Sequence, residues 1–495
     1  MKLLAKHKSE FLILLILIAA YFLLRLPNLT LQPIFADEAI YVRWAQVMKA
    51  EPTLRFVSVT DGKTPLFMWL MIPFFKVFKD PLFAGRFLSV ISGFFTLTGV
   101  FFLTKKVFNL RAALWASLFY VIIPYTVFFD RMALVDSMLA SFTIWIIYFA
   151  IWLGERLRLD LAMILGYLMG GAILTKTPGL INLLILPLSI ISFRRKGKNS
   201  LVKLVLLWGV AIVIALIMYN MLRLGPEFNK LSARNADYVF SFQELKPRPL
   251  DPFIPHFHDI SDWFPKLFTI PTLLFIAMGA FYALKKNKGA LVVLIWVAVP
   301  MLVSMAFLKT FTARYLLTSI APSLVFAGFG LNFLLEKLRV SNMLKILIGL
   351  AIVLPLALYF DYQLLVSPPP DGLPKEERIG YFEDWTAGYG FSEIGKFILE
   401  KSKDQKVVLG TDGFFGTLPD GIQIYLDKAN VAIVGSTSTI SAQVRTAAKD
   451  NLTFFLGNKK NLEGKVINVL LIKEYPKAKS ADGSFDSTVL YQVLP

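Results

Sequence analysis

Leu204-Val-Leu-Leu-Trp-Gly-Val-Ala-Ile-Val-Ile-Ala-Leu-Ile-Met-Tyr-Asn-Met-Leu222 runs for nineteen residues without a charged side chain. A surface helix of a soluble protein keeps a polar face toward water, and this stretch has none over whole turns. It is long enough to cross the hydrocarbon of a bilayer, where about 20 apolar residues are needed. Apolar runs recur at residues 11–24, 82–103, 112–129, 133–153, 290–308 and 344–360. Hydrophobic residues form 56% of the 495, Phe alone occurs 44 times, and mean hydropathy is +0.61. The expected fold is therefore a polytopic α-helical membrane protein, with about eleven spans in residues 1–360.

Charge orients those spans. After Phe360 there are 15 basic and 17 acidic residues, which leaves a net +20 on the first 360. Basic charge held in short loops follows the positive-inside bias and contact with membrane lipids. It does not form a nucleic-acid stripe, so no nucleic-acid partner is expected. Lys2, Lys6 and Lys8 precede the first span and read as the cytoplasmic end of an uncleaved signal anchor. Every second connection is then basic: Lys105-Lys106 with Arg111, Arg156 with Arg158, Arg194-Arg195-Lys196-Lys198, Lys285-Lys286-Lys288, and Lys337 with Arg339. The opposite side receives long loops at 27–81 and 223–267. It also receives tight turns at Asp130-Arg131, Lys176-Thr177-Pro178 and 309–314, the two spans around Lys176 being short.

Residues 361–374, with Ser367-Pro-Pro-Pro-Asp-Gly-Leu-Pro374, read as a stiff linker. Residues 375–495 then read as a soluble extracytoplasmic α/β domain, with strands at 406–409, 431–434, 466–472 and 488–493 and a helix at 392–401. The absence of cysteine excludes disulfides and thiolate zinc sites.

The ionisable residues gather at the extracytoplasmic ends of the spans. Asp37-Glu38 follow the first span, Asp61-Gly-Lys63 lie in the same loop, and Asp130-Arg131 and Asp136 mark the next turn. Lys176 and Arg314-Tyr315 complete the set. Asp136 reads as lying a turn or more inside a span, where an acid is costly and marks a site or a buried pair. An acceptor hydroxyl or amine needs a carboxylate, which Asp37 or Asp136 can supply. A departing phosphate needs cations, and Lys63, Lys176 and Arg314 are the candidates. A lipid-linked donor places its tail in the membrane and its sugar phosphate at the interface where these residues sit.

Phe35-Ala-Asp-Glu-Ala-Ile-Tyr41 resembles the acidic first-loop signature of GT-C fold glycosyltransferases, in the branch of protein O-mannosyltransferases and the lipid A aminoarabinose transferase. Lys63-Thr-Pro-Leu66 before Trp69-Leu70, Arg131-Met-Ala-Leu-Val-Asp136, Leu174-Thr-Lys-Thr-Pro178 and Ala313-Arg-Tyr315 resemble further motifs of that family, in its order. Thr64, Thr177 and Thr318 stand where its pattern has proline, glycine and proline. The resemblance implies an inverting transfer from a polyprenyl-phosphate sugar to a protein hydroxyl, lipid or glycan. It assigns Asp37, Glu38 and Asp136 to catalysis, and Lys63, Lys176, Arg314 and Tyr315 to the donor phosphate, with Asp130 and Arg131 as further site positions. It implies a multi-pass protein of the plasma (inner) membrane with a cytoplasmic N-terminus. No cofactor is expected, a divalent cation at the acidic site being the less favoured alternative, and no metal ligands are assigned.

Two other readings compete. A transporter or flippase of lipid-linked sugars would carry polar groups near the midplane and two related halves, and neither is evident. An oligosaccharide transferase or glycan ligase would share the architecture. His256 and His258 read as a solvated loop. Asp384-Trp-Thr-Ala-Gly-Tyr-Gly390 reads as a packing turn, and Asn451-Leu-Thr453 matches a glycosylation acceptor by pattern only.

Overall fold

The computed structural model describes residues 8–194, 197–285, 287–427 and 429–495. Lys2, Lys6, Arg195, Lys196 and Lys286 of the predicted cytoplasmic loops lie outside the described residues. Helix α1 (Lys8–Arg25) leads to strand β1 (Ile34–Phe35) and helix α2 (Ala36–Ala50). Helices α3 (Pro81–Val107), α4 (Leu110–Ile122), α5 (Pro124–Asp130), α6 (Val135–Arg156) and α7 (Leu159–Thr175) follow. After the short helical turns of 177–192 come α8 (Ser200–Asn220), α9 (Phe253–Phe268), α10 (Ile270–Leu284), α11 (Lys288–Phe307), α12 (Leu317–Lys337) and α13 (Asn342–Val366).

Among the described residues, six helices are long and apolar enough to cross a membrane, or up to eight if each of two bent pairs is one span. The remaining expected spans are α1, which carries Lys8, Glu10 and Arg25, and the short helices Leu159–Thr175 and Thr177–Ser192 on either side of Lys176. The run at 112–129 is not one straight helix. Pro124 lacks an N–H and holds Ile123 extended, so α4 and α5 meet at 58°. The long loop at 223–267 is largely helical, and α9 meets α10 at 106° through Thr269. The last helix continues to Val366, so the predicted linker starts too early.

Caps explain several helix starts. Asp80 accepts from the backbone N–H groups of Leu82 and Phe83 ahead of Pro81, and Asn109 and Ser341 accept at the starts of α4 and α13. Glycine sets the tightest helix crossing: a Cβ on Gly279 or Gly330 would collide with the other helix's backbone, so α10 and α12 approach closely.

Beyond the spans, β2 (Ala387–Gly388) pairs antiparallel with β1, registering Ile34 with Gly388 and Phe35 with Ala387. Helix α14 (Phe391–Lys401) precedes a five-stranded sheet of β3 (Val407–Asp412), β4 (Val431–Ser436), β5 (Leu452–Asn458), β6 (Val469–Pro476) and β7 (Ser487–Val493). Its order is β4-β3-β5-β7-β6, with β3 parallel to β4 and β5, and β7 antiparallel to β5 and β6. The sequence reading missed β5, the central strand. The Asn451-Leu-Thr453 match runs into its start; Thr453 is buried and the Asn451 amide donates to the Ala447 carbonyl.

Candidate active site

The first loop is nailed to the membrane bundle by dry ion pairs. Arg86 of α3 donates to both oxygens of Glu38 at 2.8 and 2.7 Å, and Glu38 also accepts from the N–H groups of Phe35 and Ala133. Both side chains are fully buried. Arg25 pairs with Asp130 at 3.1 Å, and Tyr120 and Ser137 hydroxyls donate to the same carboxylate. Arg131 donates to the carbonyls of Arg25, Pro27 and Asn28, which fixes the exit from α1. Glu38, Asp130 and Arg131, expected as site positions, are thus taken up by partners within the scaffold, and the structure does not bring them into the cluster around Asp37. Arg86 was missed, although a charge inside the run 82–103 is the same signal that singled out Asp136.

The remaining candidates converge. Arg314 Nη2 donates to Asp37 Oδ2 at 2.6 Å, and Lys63 Nζ stands 3.7 Å from Asp37 Oδ1. Lys176 Nζ donates to Asp136 Oδ1 at 2.7 Å. The Tyr315 ring lies between the cations, 3.8 Å from Lys176 Nζ and 5.3 Å from the Arg314 guanidinium carbon. Asp136 sits in the first turn of α6 rather than a turn or more inside a span, and it is nearly buried by Lys176. A carboxylate at a helix N-terminus is favoured by the exposed N–H groups and the dipole.

Neighbouring segments hold this cluster. Lys63 also pairs with Asp61 at 3.2 Å, and Arg234 of the second long loop reaches Asp61 at 2.8 Å. Lys63 stands over the rings of Tyr41 and Trp44, which share one face of α2 with Asp37. Just before Arg314, the Ala313 N–H donates to Glu377 at 2.7 Å and its carbonyl accepts from Tyr125. The segment after the linker thus fixes the backbone that carries Arg314. Ala387 and Gly388 belong to the same segment, so the 384–390 turn packs directly on the approach to Asp37.

Burial alone would raise the Asp37 carboxyl, but Arg314, Lys63 and Lys176 outweigh it and hold its pKa at about 2. Burial pushes Glu377 up to about 7, against the Ala313 hydrogen bond and Arg314. Burial lowers the Lys63 ammonium, and Asp37 and Asp61 more than offset that.

His256 is not solvated: it is buried, with Nδ1 2.8 Å from the Met305 carbonyl and its ring 4.3 Å from that of Phe311. Among the described residues no group of three or more His, Cys, Asp or Glu suits a metal ion. On the opposite side, Lys106, Arg194 and Lys288 from three of the predicted basic loops line one polar cleft with Glu155.

The sequence profile of the dolichyl-phosphate-mannose-protein mannosyltransferase family matches residues 62–219, a segment holding Lys63, Asp136 and Lys176. No curated protein sequence matches the chain. Among solved structures, ArnT from Cupriavidus metallidurans bound to undecaprenyl phosphate is 16% identical, with a TM-score of 0.59 over 98% of each chain. The apo state of the same protein gives 0.58 at 15% identity over 99% of this chain and 98% of that one. The archaeal oligosaccharyltransferase AglB from Archaeoglobus fulgidus, in complex with an inhibitory peptide and a dolichol-phosphate, gives 0.54 at 14% identity over 92% of this chain and 70% of that one. The chain has the fold of a GT-C membrane glycosyltransferase. It shares that fold with ArnT and AglB alike.

Proposed function

We propose that the protein transfers a sugar from a polyprenyl-phosphate carrier to an acceptor by single displacement with inversion. The reaction takes place at the extracytoplasmic face of the plasma (inner) membrane, with the N-terminus cytoplasmic and the C-terminal domain outside. Arg314, Lys63 and Lys176 bind the donor phosphate and stabilise the charge it gains as it leaves. Tyr315 orients two of these cations, and Asp37 holds the acceptor nucleophile opposite the phosphate. Asp136 keeps Lys176 in position.

The observation that carries the reading is the doubly cationic grip on Asp37, with Arg314 at 2.6 Å and Lys63 at 3.7 Å. A carboxylate held at about 2 is a weak base. A donor phosphate that draws Arg314 and Lys63 toward itself removes the charges that depress Asp37. Its basicity then rises only when the donor is in place, which couples acceptor activation to donor binding.

Transfer from a polyprenyl-phosphate sugar by the protein in proteoliposomes tests this. Asp37→Asn should abolish transfer while polyprenyl-phosphate binding persists; undiminished transfer would remove Asp37 from the reaction. The oligosaccharide-transferase alternative is read in the same assay with a lipid-linked oligosaccharide as donor.

A further inference from the structure

The C-terminal domain carries a cleft of about 250 Å³ beyond the carboxyl ends of the parallel strands β3 and β5. Ligands of open α/β sheets collect at such strand ends, where loops diverge and side chains point together. Asp412 ends β3 and Asn458 ends β5, and both line the cleft with Trp385, Phe415, Thr417 and Asn461. These polar groups are fixed in place. Asp412 Oδ1 accepts from the Ser438 N–H at 2.9 Å and Oδ2 from the Asn461 amide at 3.0 Å. Asn458 Oδ1 accepts from Lys477 Nζ at 2.6 Å, which leaves its own NH₂ as a donor.

Two further features point to a ligand. Thr417 is 3% exposed, yet its hydroxyl has no hydrogen-bond partner. Trp385 and Phe415 are each 49% exposed among the residues lining this cleft, so about half of each side chain is open to a ligand. Phe415 lies in Gly413-Phe-Phe-Gly416, whose glycines adopt φ of +131° and +100°, a backbone open to few other residues.

The chemistry of the lining selects among ligands. No Lys or Arg is among the described lining residues; Lys477, which reaches Asn458, is committed to it, the Asp384 carbonyl and Asp486, while Asp412 would repel an anion. A phosphate or carboxylate ligand is therefore disfavoured. Planar carboxylate and amide groups beside exposed aromatic rings suit a neutral polyol ring, whose hydroxyls pair with the former while its C–H face lies on the latter. The cleft also adjoins the transfer site: the Phe415 ring is 6.0 Å from Trp44, on the α2 face that carries Asp37. Asp37 and Trp44 are seven residues apart on that helix, about 10 Å.

We propose that this cleft binds a pyranose ring of the acceptor, so that the acceptor is a glycan or glycolipid. The inference rests on the transferase reading for the word acceptor, and on the cleft alone for the word pyranose. The test is saturation-transfer NMR on the full chain in lipid nanodiscs, with methyl α-mannopyranoside, methyl β-glucopyranoside and chitobiose as probes and sorbitol as control. At least one glycoside should receive saturation above sorbitol. Trp385→Ala should weaken its binding at least about tenfold. Thr417→Val, which removes a hydroxyl without an internal partner and keeps the fold, should weaken it about threefold to tenfold. Both variants should bind undecaprenyl phosphate as the wild type does. No glycoside signal above sorbitol, or a signal unchanged in both variants, overturns the proposal. Retained glycoside binding in a protein that transfers nothing would instead sink the transferase reading and leave the sugar site standing.

Discussion

Asp37 and Glu38 are adjacent in sequence, each pairs with an arginine, and the two pairs do different work. Glu38 and Arg86 are both fully buried, and every Glu38 oxygen is committed to two donors. Asp37 is 21% exposed, shares its oxygens between Arg314 and a looser Lys63, and faces the cluster that also holds Lys176. One helical step separates a closed electrostatic account from an open one. A closed pair locks geometry, because breaking it strands a charge in a dry place. An open cluster, partly exposed and with cations shared among Asp37, Asp61 and Asp136, can exchange a carboxylate partner for a further anion.

The sharpest way to break this comparison is to neutralise the two neighbours separately. Asp37→Asn should cut transfer about a thousandfold, with a smaller loss of stability than Glu38→Ala causes. Glu38→Ala should instead destabilise the protein by about 3–5 kcal/mol through the stranded Arg86, measured as a lowered unfolding midpoint in detergent. A fold as sensitive to Asp37→Asn as to Glu38→Ala would erase the distinction.

Glu377 gives a smaller effect with a defined sign. Its folded pKa, about 7, lies above the unfolded value, so the native state binds the extra proton. Stability from this group is present at pH 4–5 and is lost as pH rises through 7, by about 3 kcal/mol at the limit. Glu377→Gln should flatten the fall in unfolding midpoint between pH 5 and 8; an unchanged slope would place the titration elsewhere. Arg314, Glu376 and Asp259 are the charged groups around it. Smallest is Lys176→Ala, expected to weaken polyprenyl-phosphate binding about tenfold to thirtyfold, read by direct titration.

The membrane architecture was legible because apolar length and basic loops are local signals. Among the described residues six to eight of the about eleven expected spans are helices long and apolar enough to cross a membrane, and composition does not reveal the 58° break at Pro124 as a change of direction. The convergence of Asp37, Lys63, Asp136, Lys176 and Arg314 was legible through sidedness. What sidedness does not separate is a charge that faces the site from one that faces the scaffold. Glu38, Asp130 and Arg131 lie beside Asp37 and Asp136 in the sequence. Only partners distant in sequence, such as Arg25 for Asp130, decide their roles. Strand β5 was hidden for a related reason: it lies at the sheet centre, and its pairing to β3 and β7 comes from outside its own seven residues.

The short ladder between β1 and β2 has a consequence for how the protein is made. Ile34 and Phe35 leave the ribosome early, but the strand they pair with, Ala387–Gly388, follows the last membrane helix. Glu377, which fixes the backbone before Arg314, follows it too. The entrance to Asp37 and the seat of Arg314 are thus set only after the last membrane helix and the chain behind it have been made. Synthesis order itself keeps the centre unassembled until the protein is whole, and a chain stopped at Val366 would embed in the membrane with its charges present and their frame missing.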